Sequence, residues 1–185
     1  GQYTHVSAIH PVADSNVANH FKVRKGDPDR AMTQAFKVVD NRFSVPQVQH
    51  VPIETHGAIA RQDQTGRVTV WSSAQSPFTV RNLLCHCFGL KLHEVRCITP
   101  YVGGGFGAKA GINLEPIATA LAMTCNHRPV KLIASREEEF YAVVVRQGLR
   151  AHVRTGLDQG GRIVAEEIEY LWDCGAFAGY GVNIV

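Results

Sequence analysis

Val95–Ala134 reads VRCITPYVGGGFGAKAGINLEPIATALAMTCNHRPVKLIA. Val95–Thr99 is strand-like and runs into a glycine-rich loop, Gly103–Lys109. Ile112–Asn126 follows as the strongest helical segment of the chain, and Val130–Ala134 as a buried strand. Strands and helices also mix on either side of this stretch, without a regular βαβ repeat, which predicts an α+β fold.

Upstream, residues 1–20 carry little periodicity and read as a leading segment or linker, with residues 21–185 forming the folded part. His20–Gly26 alternates like a short strand. Asp27 is placed to cap a helix over Pro28–Phe36, with Pro28 at its first position. Val38–Val45 reads as a strand, and Gly57–Arg61 with Arg67–Ser72 as a hairpin across the DQTG turn Asp63–Gly66. Val80–Phe88 fits a helix that Gly89 stops. Downstream, Ser135 and Glu138 make a capping box for a short helix. Arg150–Arg154 and Ile163–Trp172 form a second hairpin around LDQGG. Asp173–Phe177 then leaves the strand for another glycine-rich stretch. Starting on Gly1 rather than Met and stopping at Val185 with nothing to close that stretch, the sequence reads as a piece of a longer protein.

A length of 185 residues suits one domain or one large subdomain, and 45% hydrophobic with 19% charged residues is ordinary for globular protein. A net charge of +3, without basic clusters interleaved with aromatics, does not support nucleic-acid binding. The longest apolar run, Ile117–Met123, is too short to span a bilayer, and no secretory signal is expected at the start. Five cysteines in no framework spacing favour free thiols in a reducing, cytoplasmic setting.

Four segments could carry chemistry. In Tyr101–Lys109, YVGGGFGAK, glycines permit positive φ and close approach of backbone N–H groups to a ligand. A helix N-terminus just beyond would favour an anionic guest, and Lys109 could add a full charge. A tight turn that needs glycine for packing alone is the other reading. The spacing matches neither a Walker loop nor the dinucleotide fingerprint. In the second segment, Ser72–Pro77, Gln75 can offer both a donor and an acceptor at a strand end, or serve only a helix cap. Third, Cys85, His86 and Cys87, with His93 and Cys97 nearby, invite a zinc reading, yet Cys85 and Cys87 fall on opposite sides of the helix. Fourth, His50, Glu54 and His56 would share one face of a strand, suiting a carboxylate–histidine pair or a weak metal site, although Pro52 interrupts the pattern. The acidic run Glu137–Glu139 complements a helix dipole and needs no further function.

Taken in order, Gly26–Val39 (GDxxxAxxxAxxVV), His50–Ala60 (HVPIETHGAIA), Val68–Pro77 (VTVWSSAQSP), Tyr101–Lys109, Arg128–Phe140 (RPVKLIASREEEF) and Ile163–Gly181 form a set. This succession resembles the large subunit of the xanthine dehydrogenase, aldehyde oxidase and carbon monoxide dehydrogenase family, over roughly residues 10–185. The resemblance implies the first molybdopterin-binding domain of such a subunit, truncated, and an oxidoreductase that hydroxylates N-heteroaromatic or aldehyde substrates with water-derived oxygen. It implies molybdenum–molybdopterin, with or without a dinucleotide extension. Iron–sulfur clusters and FAD would sit on partner subunits or domains, alongside the remainder of the large subunit.

On the family pattern Gln75 would reach the oxygen ligands of molybdenum. Phe106 and Gly107 would bring main chain beside the metal, and Gly104 and Gly105 would lie against the pterin. The family's general-base glutamate matches nothing in these residues, so the chain alone is expected to be inactive. Xanthine hydroxylases of the family carry Glu directly after the loop Lys; here Ala110 and Gly111 follow, a form more similar to bacterial nicotinate or purine hydroxylases. The contrasting reading is a non-catalytic α+β module that holds an anion or a partner in the same loop.

Overall fold

The computed structural model describes residues 17–175, so the chain beyond Gly175, including most of the last glycine-rich stretch, lies outside the described residues. The chain forms two compact units, one of Gln49–Arg146 and one of the segments on either side of it.

In the flanking unit, α1 (Pro28–Gln34) starts as expected, with the Asp27 carboxylate accepting from Arg30 N at 3.1 Å. β1 (Lys37–Val45), β6 (Gly148–Leu157) and β7 (Ile163–Asp173) make an antiparallel sheet in the order β1-β6-β7. A Cβ at Gly156 would stand 3.0 Å from the Ala35 methyl and 3.3 Å from Met32 sulfur, so glycine there lets the end of α1 settle on the sheet. Register places Asp40, Arg154 and Glu167 in one row, joined by Arg154–Glu167 at 2.7 Å and Arg154–Asp40 at 3.6 Å. Phe43, Ala151 and Tyr170 form a row on the opposite face. The expected strand at His20–Gly26 is not formed. Every residue of that segment is exposed and has no strand partner among the described residues, so its alternation buries nothing.

In the central unit, β2 (Gly57–Gln62), β3 (Val68–Ser72), β4 (Val95–Ile98) and β5 (Val130–Ile133) form a mixed sheet in the order β4-β3-β2-β5. The hairpin β2–β3 is closed by Asp63, whose Oδ1 accepts from Thr65 N at 2.9 Å and Arg67 N at 3.1 Å. β3 and β4 run parallel, connected through α2 (Pro77–Phe88) and a short 3-10 turn at Leu92–Glu94. α2 starts three residues before the expected Val80, because Pro77 occupies its first turn, and it stops at Gly89 in the left-handed conformation. α3 (Glu115–Thr124) lies between β4 and β5 in sequence, and α4 (Arg136–Tyr141) follows β5 with the predicted Ser135–Glu138 capping box.

The core of this unit joins Ala58, Ala60, Val68, Val70, Val80, Leu84, Ala118 and Ala122. Alanines on β2 and α3 let helix and sheet approach closely, and each fully buried Val or Leu contributes about 1.5–3 kcal/mol. The expected α+β class is observed, and its consequence for the site is positional: both β3 and β4 deliver their C-terminal ends to the glycine loop. No helix among the described residues is long and apolar enough to cross a membrane.

Candidate cofactor site

Gln75 leaves β3 just ahead of α2, the strand–helix junction that the sequence indicates. Its backbone N–H donates to Lys109 O at 2.8 Å. Its side-chain Oε1 accepts from Gly107 N at 2.9 Å and from Lys109 N at 3.3 Å. Those two N–H donors identify the amide oxygen, so Nε2 is left as a donor, and it has no acceptor among the described residues.

Gln75 and Glu54 hold the loop at different points. The Glu54 carboxylate accepts from Gly103 N at 2.9 Å and from Lys109 Nζ at 2.7 Å, joining the two ends of the loop. Lys109 Nζ also donates to the Glu54 carbonyl at 2.8 Å. Inside these anchors the backbone takes left-handed values at Gly104 (φ 95), Phe106 (φ 54) and Gly107 (φ 100). The N–H groups of Gly104, Gly105 and Phe106 have no acceptor among the described residues. The loop therefore offers three consecutive backbone donors beside the Gln75 amide, with the Phe106 ring 73% exposed at its rim.

The glycines have separate reasons. A Cβ at Gly103 would fall 2.6 Å from the Glu54 Cβ, and one at Gly105 would fall 2.5 Å from Gln75 Oε1. Those two are required for packing against the anchors. Gly104 and Gly107 are required by their positive φ. Both readings of the loop thus have a share: packing explains part of the glycine run, while the unspent donors remain for a ligand.

Three expectations are corrected. Lys109 does not offer a free charge, since it is 1% exposed and spent on Glu54. The helix beyond the loop starts later than expected, farther along the chain from the glycines. It begins at Glu115 rather than Ile112, and its own Glu115 carboxylate accepts from Asn113 N at 2.7 Å and from Ser72 Oγ at 2.5 Å. His50, Glu54 and His56 do not share a strand face. Residues 49–56 are irregular, Glu54 turns to Lys109, and His56 turns to Glu139.

Glu139 is the residue that sequence reasoning missed. It is 0% exposed and accepts from His56 N, whereas Glu138 beside it caps the helix. A signal existed: in a capping box the fourth helical position faces back toward the residue before the cap, here buried Ala134. On α2, Cys85 is buried and Cys87 exposed, so the two thiols diverge. Burial raises the Cys97 thiol to about 11.

Burial pushes the Glu54 carboxyl up, but its hydrogen bonds to Lys109 and Gly103 and the Lys109 charge outweigh this and hold it below 4.5. A depressed folded value stabilises the fold above pH 4.5 and is lost as pH falls through that folded value. The stability difference between wild type and Glu54→Gln is therefore expected to be flat above pH 4.5 and to shrink below it. Denaturation midpoints over a pH series check this; a difference that stays constant into acid would remove the ion pair from the loop.

A strand-end amide and a three-donor glycine loop thus meet on an α+β scaffold. The family model described as the molybdopterin cofactor-binding domain matches residues 9–185, and the chain belongs to that family. It is a molybdenum-binding-subunit sequence of the xanthine dehydrogenase, aldehyde oxidase and carbon monoxide dehydrogenase type. The nicotinate dehydrogenase large molybdopterin subunit of Eubacterium barkeri is 32% identical over 178 residues, covering 96% of this chain and 41% of that subunit. Quinoline 2-oxidoreductase from Pseudomonas putida 86 superposes with a TM-score of 0.67 at 30% identity, over 76% of this chain and 18% of that one. Aldehyde oxidoreductase from Desulfovibrio gigas shares the fold, with a TM-score of 0.77 at 23% identity over 84% of this chain and 17% of that one. The chain spans at most 41% of the length of these relatives.

Proposed function

We propose that this chain supplies one wall of a molybdopterin site in a molybdenum hydroxylase acting on N-heteroaromatic or aldehyde substrates. The observation that carries the reading is the row of unspent donors: Gln75 Nε2 and the N–H groups of Gly104, Gly105 and Phe106. Such a row suits an acceptor-rich group lying flat against main chain. The residues fit it, because Gly104 and Gly107 put backbone rather than side chain at the surface and Phe106 closes the rim. A simple anion pocket is less well supported, because the Lys109 charge is already neutralised by Glu54.

When bound, the molybdenum cofactor supplies a two-electron redox centre that oxidises an electron-poor carbon. This chain's part is to hold and orient. Gln75 would donate toward the metal, with Phe106 and Gly107 next to it, and Gly104 and Gly105 would hold the pterin. Among these groups no carboxylate stands free, since Glu54 is paired, so the general base comes from elsewhere in the complete protein. Residues 21–185 act as part of one cofactor-binding domain behind a leading segment over 1–20. The remainder of the large subunit and iron–sulfur and flavin partners complete the enzyme. Ala110 in place of an acidic residue, together with the nicotinate dehydrogenase relative, supports a bacterial N-heterocycle hydroxylase, and the free cysteines suit a cytoplasmic setting.

Elemental analysis and pterin fluorescence of the complete, assembled protein test this. Equimolar molybdenum and pterin are expected there, and far less on the isolated 185-residue chain. A complete protein lacking both would overturn the reading.

A further inference from the structure

Behind the donor row, one backbone carbonyl receives an unusual amount of support. Ala108 O faces His56 Nε2 at 3.1 Å and accepts from Asn113 Nδ2 at 3.4 Å. The same residue's N–H donates to Gly105 O at 2.9 Å, so fixing Ala108 also fixes the turn that carries Gly105 and Phe106. On its other side the His56 ring meets the Glu139 carboxylate through Nδ1 at 2.5 Å, and Glu139 Oε2 accepts from His56 N at 3.1 Å. Both side chains are buried, at 4% and 0% exposure.

Burying an ionisable couple carries a desolvation penalty that packed apolar side chains would avoid. Each ring nitrogen faces an oxygen. A ring with one proton serves only one of them, and the adjacent carboxylate compensates the charge of a ring that carries both.

We propose that His56, held by Glu139, is a positioning residue for the cofactor cradle. Its Nε2 grips the Ala108 carbonyl and so sets the aim of the Gly105 and Phe106 N–H groups. This rests on the cofactor reading given above. It differs from a purely structural ion pair in which half of the histidine matters: cradle positioning depends on Nε2, fold stability on Nδ1.

Two substitutions separate the halves in the complete, assembled protein. Glutamine sets an amide nitrogen near the place of Nε2, and asparagine near the place of Nδ1. His56→Asn is expected to shorten the half-time of molybdenum and pterin loss on dialysis by about 10–100-fold, the range for removing an outer-shell partner. His56→Gln is expected to stay within about threefold of wild type, because it retains a donor on Ala108. The reverse order, equal loss, or equal retention overturns the proposal. Should both variants fail to fold, Glu139→Gln decides. It is isosteric, but its single amide oxygen can keep only the bond from His56 N; its amide nitrogen then donates to Nδ1, and the neutral ring keeps its one proton on Nε2 toward Ala108. Cofactor retention within about threefold of wild type, with a lowered melting temperature of the cofactor-free protein, is expected, and cofactor loss overturns the proposal. Wild type without molybdenum or pterin overturns the cofactor reading itself, whereas wild-type loading with the wrong order among variants overturns only this inference.

Discussion

Gln75→Ala, in the complete enzyme, is expected to lower turnover per bound molybdenum by about 10–10³-fold, the effect of removing one preorganised donor from a site where charge develops. Its Oε1 is already committed to Gly107 N and Lys109 N, so the amide cannot rotate to present its oxygen to the site without giving up both bonds. A donor fixed in this way needs no reorganisation when the reaction begins. The fold should survive, with a loss of about 0.5–1.5 kcal/mol for each of the two loop bonds. Gln75→Glu sharpens the test. A carboxylate can still accept from Gly107 and Lys109, so loop stability should remain near wild type, while the outward donor is replaced by an acceptor. Turnover per molybdenum should then fall at least as far as in Gln75→Ala. Wild-type turnover in either variant would reduce Gln75 to a loop anchor.

Gly105→Ala is expected to weaken cofactor retention by about 10–100-fold by displacing Gln75, an effect of the size seen on loss of an outer-shell partner. The added methyl would stand 2.5 Å from Gln75 Oε1 and 2.8 Å from its Cγ, too near for the tip alone to swing aside. The whole Gln75 side chain must leave, taking with it the bonds to Gly107 and Lys109. The two positions should therefore be strongly non-additive. In a Gln75→Ala background the methyl has space, and Gly105→Ala should add little, a coupling of about 0.5–3 kcal/mol in the stability cycle. Denaturation midpoints and molybdenum content of the two single variants and the double variant measure it. Additive losses would mean that the glycine is required for another reason.

By itself the sequence determined what is encoded over a few residues. Apart from the strand expected at His20–Gly26, the order of helices and strands was legible, as were the Asp27 and Ser135 caps, the Gly89 stop and the Asp63 turn, because each depends on side chains acting within about one turn of themselves. The position of Gln75 at a strand–helix junction and the positive φ of the glycine loop were legible for the same reason. So was the family, through the order of its motifs.

Only the tertiary structure decided which polar groups are spent. Lys109 looked like a free cation until Glu54, 55 residues away, closed on it. Glu139 looked like a solvated helix-dipole partner until His56, 83 residues away, was folded against it. Burial makes such pairing obligatory, since an unpartnered charge in the interior is too costly to keep. The choice of partner follows from how sheet and helices pack, and pairs so distant in sequence leave no periodic trace in it.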